Sequence, residues 1–198
     1  MPSEPLILGF DTSAAHCAAA LLRGDQIIAE RLELMTRGQA ERLMVLLEEI
    51  LAEGNAAWSD LTAIGIGVGP GNFTGIRIGV SAARGLALGL EIPAVGVTGF
   101  EARQTDGELP AIPAPRDHVY AALPGQAPRL MPASEATDAA RGAGLSFAPE
   151  ASPTGLAASI ARITALRFEQ VTQAPAPLYM RAADAAPSRD VPPALIDG

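Results

Sequence analysis

A single cysteine, Cys17, occurs in the 198 residues, so neither an intrachain disulfide nor a thiolate metal cluster can be built from this sequence. Aromatic residues make up only 4% of the chain, and alanine supplies much of the 48% apolar content, so the core must be assembled from small aliphatic side chains. Basic residues number 14 against 22 acids, for a net charge of −8. A protein that grips nucleic acid by its own clustered cations is thereby excluded, and any nucleic acid in its biology is expected to be held by something else. No apolar run approaches the roughly 20 residues of a membrane-spanning helix, and residues 1–9 carry no basic leader region, so a soluble, cytoplasmic protein is expected. The two histidines, His16 and His118, lack i, i+4 spacing and have no acidic residue completing a ligand set, so no metal site is expected.

What is present begins with three apolar runs in hairpin order, at residues 6–10, 17–22 and 26–34, the last two separated by the turn pair Gly24 and Asp25. A helical stripe follows over 36–54, built from Ala40, Leu43, Met44, Leu46, Leu47, Ile50 and Leu51, with Gly54 and Asn55 as its stop. An apolar run at 63–68 predicts a central strand, a glycine-rich turn then opens a helix to about Leu90, and a short strand is predicted at 93–97. The order βββαβαβ departs from the plain βαβ alternation of a dinucleotide-binding domain. Beyond Gly99, prolines at 110, 113, 115, 124, 128, 132 and 149 break the chain into short pieces. The expected division is residues 1–104, a smaller second half over 105–181, and a tail over 182–198. In the second half, Ser152 as N-cap and Pro153 in the first turn predict a helix carrying Leu156, Ile160, Ile163 and Leu166.

Two loops could carry chemistry. Gly69, Gly71, Thr74 and Gly75, between a strand and a helix, could present free backbone N–H groups to an anion. The same glycines could instead serve only a tight turn and close packing. The spacing matches neither a Walker loop nor a dinucleotide fingerprint, and no lysine is near. Asp11-Thr12-Ser13 could supply the carboxylate and hydroxyls of a phosphate-handling loop, as in an ATPase or small-molecule kinase of actin-like fold. Such an enzyme needs a matching acidic, glycine-rich loop in its second half. Residues 112–123 contain Asp117 but are broken by proline and lack glycine there, so no catalytic residue and no cofactor is expected. Cys17 reads as a small core residue.

On the helix after the glycine turn, Thr74, Arg77, Ser81 and Arg84 form one polar stripe interrupted by Leu88. Ile76, Val80, Ala83, Ala87 and Leu90 lie on one flank, and Gly75, Ile78, Ala82, Gly85 and Gly89 on the other. Such a helix requires burial on two sides, either wholly inside its own fold or partly against a second chain.

Phe10-Asp11-Thr12-Ser13, the string Gly67-Val68-Gly69-Pro70-Gly71-Asn72-Phe73-Thr74-Gly75-Ile76-Arg77-Ile78-Gly79, and Pro177-Leu178-Tyr179-Met180-Arg181 near the end together resemble the TsaB, or YeaZ, family. The resemblance runs through about residues 6–100 and the closing element. It implies an actin-like, ribonuclease H-like α/β fold of two subdomains. It also implies a non-catalytic role beside TsaD, the catalytic paralogue, and the ATPase TsaE, in forming threonylcarbamoyladenosine next to the anticodon of tRNAs, with tRNA touched only indirectly. TsaD carries a metal-binding His-x-x-x-His pair, whereas this chain has Thr36-Arg37-Gly38-Gln39-Ala40-Glu41-Arg42 at the matching helix, without a histidine. A metallopeptidase-like relative is disfavoured for the same reason. Pairing in the family is through N-terminal helices, here expected at 37–54 and 74–90, and apolarity alone selects Ile76, Gly79, Val80 and Ala83 as the expected partner-binding positions, toward TsaD or toward a second copy when TsaD is absent. The second half is short and proline-rich for the family, with Ala114-Pro115-Arg116-Asp117 where an Asp-Ala-Arg type element is usual.

Overall fold

The computed structural model of the chain describes residues 4–147 and 153–180. The expected N-cap Ser152, Arg181 of the closing element and the expected tail lie outside the described residues. Three strands open the fold: β1 (Leu6–Asp11), β2 (His16–Arg23) and β3 (Gln26–Leu34). They are followed by α1 (Gln39–Glu53), β4 (Ala63–Gly67), α2 (Phe73–Leu90) and β5 (Ala94–Val97), which is the βββαβαβ order read from the sequence. The sheet order is β3-β2-β1-β4-β5, with β1 antiparallel to β2 and parallel to β4. Three antiparallel strands continued by two parallel ones, with helices on both faces, form the actin-like, ribonuclease H-like arrangement.

Alternation along the strands sorts the side chains between two helical layers. Leu8 and Phe10 of β1, Cys17, Ala19 and Leu21 of β2, and Ile64 and Ile66 of β4 pack in one cluster with α1 and α2. From α1 that cluster takes Leu43, Leu46, Leu47, Ile50 and Leu51, whereas Met44 and Val45 remain 39% and 47% exposed. The other face meets α5 (Leu156–Ala165). This helix follows the second sheet in the chain yet lies across β1, β2 and β4 of the first, so part of the stretch 105–181 packs with the N-terminal half. It begins at Leu156 after Gly155, a left-handed residue at φ 75°. It buries Leu156, Ala157, Ala158, Ile160, Ala161 and Thr164. Leu166, expected in its apolar stripe, is 80% exposed, because the helix has ended before it.

The approach of α5 is closer than a sheet bearing large side chains would allow. A Cβ on Gly9 would sit 2.6 Å from the Ala157 carbonyl oxygen and 2.7 Å from the Ala161 nitrogen. The alanine-rich composition thus becomes a short distance between layers.

At the β3 edge of the sheet, Arg42 of α1 grips Glu33 of β3 through Nε and Nη2, at 2.7 and 2.6 Å, and also reaches Glu49. The Arg42 guanidinium holds the Glu33 and Glu49 carboxyls below the usual carboxylate range, so this clamp weakens as pH falls through their lowered pKa values.

The second half contains a three-stranded antiparallel sheet, β6 (Ala111–Ala114), β7 (His118–Ala121) and β8 (Arg129–Pro132), joined to the first half through α3 (Gly99–Ala102). The four-residue strands follow from the prolines. Pro113 sits on the edge strand, where a missing N–H is tolerated. Pro115, Arg116 and Asp117 form the three-residue loop between β6 and β7, in which Arg116 and Asp117 take left-handed backbone at φ 62° and 53°. Helix α4 (Ala133–Gly142) covers one face with Ala136 and Ala140. Ile112 and Tyr120 on the other face join Phe100 and Leu178. Among the described residues no helix is long and apolar enough to cross a membrane.

Gly9→Ala should lower stability by about 1–3 kcal/mol through overpacking against α5, read as a reduced urea midpoint at unchanged slope. A neutral effect would mean that α5 does not rest on β1.

Candidate functional site

The end of β1 turns into β2 through Thr12 to Ala15, and Asp11 organises that turn. Its side chain is buried, and Oδ1 accepts from the Ser13 backbone N–H and hydroxyl, each at 2.9 Å, and lies 2.7 Å from Nε2 of His16. The other oxygen occupies the place where a Cβ of residue 67 would be, which is why glycine ends β4. His16, for which the sequence offered no metal-ligand set, is the buried partner of Asp11, five residues away across the turn. The carboxylate that an actin-like kinase would turn toward nucleotide is here committed to its own turn. Ser13 gives its hydroxyl proton to Asp11 and not to His16, so these three residues are not arranged as a nucleophile and its base.

The glycine loop packs onto the same turn. Thr12 Oγ1 donates to the Gly75 carbonyl at 2.7 Å, and the Asn72 N–H donates to the Ser13 carbonyl at 2.6 Å. A Cβ on Gly71 would overlap the Ser13 carbonyl oxygen, and one on Gly75 that of Thr12. Asn72 caps α2, its side-chain oxygen accepting from the Gly75 N–H at 2.8 Å. Gly69, at φ 95°, lies beneath Ile76 and the Leu178 carbonyl, and Thr74 is exposed. Of the four expected anion-loop residues, three glycines are taken up by close packing and one donor is already capped. The tight-turn reading is the one this geometry supports.

The closing element meets the loop from the far end of the chain. Leu178 N–H donates to the Val68 carbonyl at 2.8 Å, and Tyr179 Oη accepts from Arg77 Nε at 2.9 Å. The Arg77 guanidinium lies 3.8 Å over the Phe73 ring, whose centroid is 4.9 Å from that of Tyr179. The sequence showed Arg77 only as part of a polar stripe and did not reveal this junction. The paired motifs around Phe73 and Tyr179 were its visible signal.

The expected partner-binding positions need correction. Ile76, Val80 and Ala83 are 1%, 3% and 0% exposed, and Gly79 is buried against Thr12 Oγ1 and Ile66. They face the chain's own sheet, because the larger apolar flank of α2 is the one that can fill the space above β1 and β4. The face left to solvent comprises Arg77, Ser81, Arg84, Gly85, Leu88 and Gly89, with Leu88 82% exposed. Nothing lies within 4 Å of a Cβ placed on Gly85 or Gly89, so this side of the helix stands open to a close neighbour.

Between the two sheets lies a cleft of about 420 Å³, lined by Ser13, His16 and Asn72 on one side, Ile112 and Tyr120 on the other, and Arg103. Cys17, one residue beyond His16, is buried, and burial pushes its thiol up to about 12.

The family profile described as TsaD, tRNA N6-adenosine threonylcarbamoyltransferase, matches residues 31–129, half of the chain. The tRNA threonylcarbamoyladenosine biosynthesis protein TsaB of Escherichia coli is 39% identical over 46% of this chain and 39% of its own length. TsaB of Bacillus subtilis is 37% identical over 59% of this chain and 54% of its own length. The chain thus spans about half the length, or less, of these curated relatives. Among solved structures, YeaZ from Pseudomonas aeruginosa superposes with a TM-score of 0.68 at 25% identity, covering 88% of this chain and 99% of that one. A crystal structure of an uncharacterized protein with similarity to peptidase YEAZ, also from Pseudomonas aeruginosa, gives a TM-score of 0.69 at 24% identity, over 89% and 100% of the two chains.

Asp11→Ala should cost about 3–5 kcal/mol, since it strips a buried histidine and a buried turn of their shared partner. Chemical denaturation measures it directly. Cys17 should resist a thiol reagent at pH 8 in the native protein and react once unfolded. Because its folded pKa is raised from 9.0 to about 12, its contribution to stability is full below pH 9 and declines as pH rises toward 12.

Proposed function

We propose, since the chain belongs to the TsaB family, that it is a non-catalytic subunit supporting a TsaD-like threonylcarbamoyltransferase in forming threonylcarbamoyladenosine beside the anticodon of tRNAs. The observation that carries this reading is the commitment of Asp11. Its Oδ1 is shared by Ser13 and His16, and its Oδ2 is pressed against Gly67, so the actin-like scaffold keeps its first loop for folding. A rival role as an ATPase or small-molecule kinase would need that carboxylate turned toward a metal-bound nucleotide. The histidine pair that the family resemblance assigns to TsaD has no counterpart in residues 36–42 of this chain.

Docking uses the outer faces of α1 and α2. Helix α2 contains no acidic residue, and its solvent face carries Arg77 and Arg84 beside the exposed Leu88 and two uncovered glycines. On α1 the exposed positions include Ala40, Met44 and Val45. Small residues admit a partner helix closely, Leu88 gives an apolar anchor, and the arginines select an acidic rim. In the absence of TsaD the same face supports pairing of two copies. The excess of acids supports a reading in which the partner holds the tRNA, and a TsaE-like ATPase completes the cytoplasmic assembly in that reading.

Light scattering after size exclusion, on the chain alone and mixed with the TsaD-like paralogue of its organism, tests the reading. Leu88→Asp and Arg84→Glu should each weaken the heterodimer at least about tenfold, equivalent to about 1.4 kcal/mol, while leaving a folded monomer. Val80→Asp should unfold the chain instead, because that position is core. The mixture should restore tRNA modification in the presence of the TsaE-like ATPase. ATP turnover by the isolated chain, without complex formation, would sink the proposal.

A further inference from the structure

Most arginines engaged in charge pairing here lie at the surface: Arg31, Arg42, Arg129, Arg141 and Arg167 each meet a carboxylate within 2.8 Å. Arg103, at the end of α3 in the wall of the cleft between the sheets, differs from them. Among the described residues no carboxylate pairs with it; Nη1 donates to the Gly99 carbonyl at 3.3 Å, and Nε is buried without any hydrogen-bond partner. Burial pulls its guanidinium below the usual arginine range, with the field of Asp11 working the other way. A half-buried guanidinium that keeps one nitrogen out of water without a partner is costly, and folded proteins retain such a group where something else balances it.

The cleft shows what that could be. Its volume of about 420 Å³ exceeds the space a single ion requires. Beside Arg103 it presents the amide of Asn72, whose oxygen is used by the Gly75 N–H while its NH2 group has no partner among the described residues. The opposite wall is apolar, formed by Ile112, Pro113 and Tyr120. Asp11 stands under the same floor through His16, so a doubly charged group meets about twice the repulsion that a singly charged one does. We propose that the cleft binds a small organic carboxylate, its charge set against Arg103 and Asn72 and its carbon body against Ile112 and Tyr120. A planar guanidinium suits a planar carboxylate, and a pocket with few polar groups on an apolar lining is the usual form of a small-molecule site. The inference is independent of the subunit role, since it concerns the cleft and not the outer faces of α1 and α2.

Titration of the full chain with sodium butyrate, followed by backbone amide NMR, tests it, with butyramide and sodium phosphate as comparison probes. Saturable shifts are expected at residues 13–16, at 71–72, and at Ile112 and Ala114, with a dissociation constant on the order of millimolar. Butyramide should give none, and phosphate should bind more weakly than butyrate. Arg103→Met should fold and weaken butyrate at least about tenfold. Should it not fold, Arg103→Lys, which keeps the charge and loses the planar fork, must weaken binding. The absence of saturable butyrate shifts, equal binding of butyramide or phosphate, or unchanged affinity in the arginine variants would overturn the proposal.

Discussion

One buried carboxylate holds the centre of this molecule together. Asp11 ends the middle strand of the first sheet, and by accepting from Ser13 and facing His16 it closes the turn that begins β2. The turn so shaped offers its Thr12 and Ser13 carbonyls to the glycine loop, which fits only because residues 67, 71 and 75 lack a Cβ. The loop in turn sets the start of α2 through the Asn72 cap. The last described segment then locks onto that start through Tyr179, Arg77 and Val68. A charge buried at such a junction is tolerable only when every neighbour is in place, so the polar core couples distant segments of chain more strictly than apolar packing would.

The two faces of the first sheet are built differently, and the difference reaches the surface. On one face leucine and isoleucine side chains fill the space under α1 and α2; on the other, glycine and alanine let α5 settle onto the strands. Because α2 gives its bulky flank to the sheet, what it shows to solvent is arginine, glycine and one leucine. A helix that is apolar on most sides need not place its apolar residues at an interface; the core takes them first.

Much of the fold was legible in the sequence. The apolar runs at 6–10 and 17–22, the strand expected over 26–34 and the stripe of Leu43, Leu47 and Ile50 are local signals, and the strands and helices formed within a few residues of where the pattern put them. The second half was less legible, because four-residue strands interrupted by proline carry no periodicity long enough to read. The site was the least legible of all. His16 and Asp11 are polar residues close together in sequence, yet only the β1–β2 turn brings Nε2 to Oδ1. Choosing Ile76, Gly79, Val80 and Ala83 as contact residues rested on apolarity, which cannot separate an interface from a core.

The sequence by itself determined the order of elements, the glycine-rich turn, the family resemblance and the shortage of cations, since each depends on residues near one another along the chain or on composition alone. Only the tertiary structure decided that the glycines serve packing, that α5 returns to the first sheet, which flank of α2 stays exposed, and that Arg103 lines a cleft without a carboxylate partner among the described residues. Those outcomes depend on which surfaces meet across tens of residues, and such meetings are set by volume and burial in three dimensions, which a linear pattern does not encode.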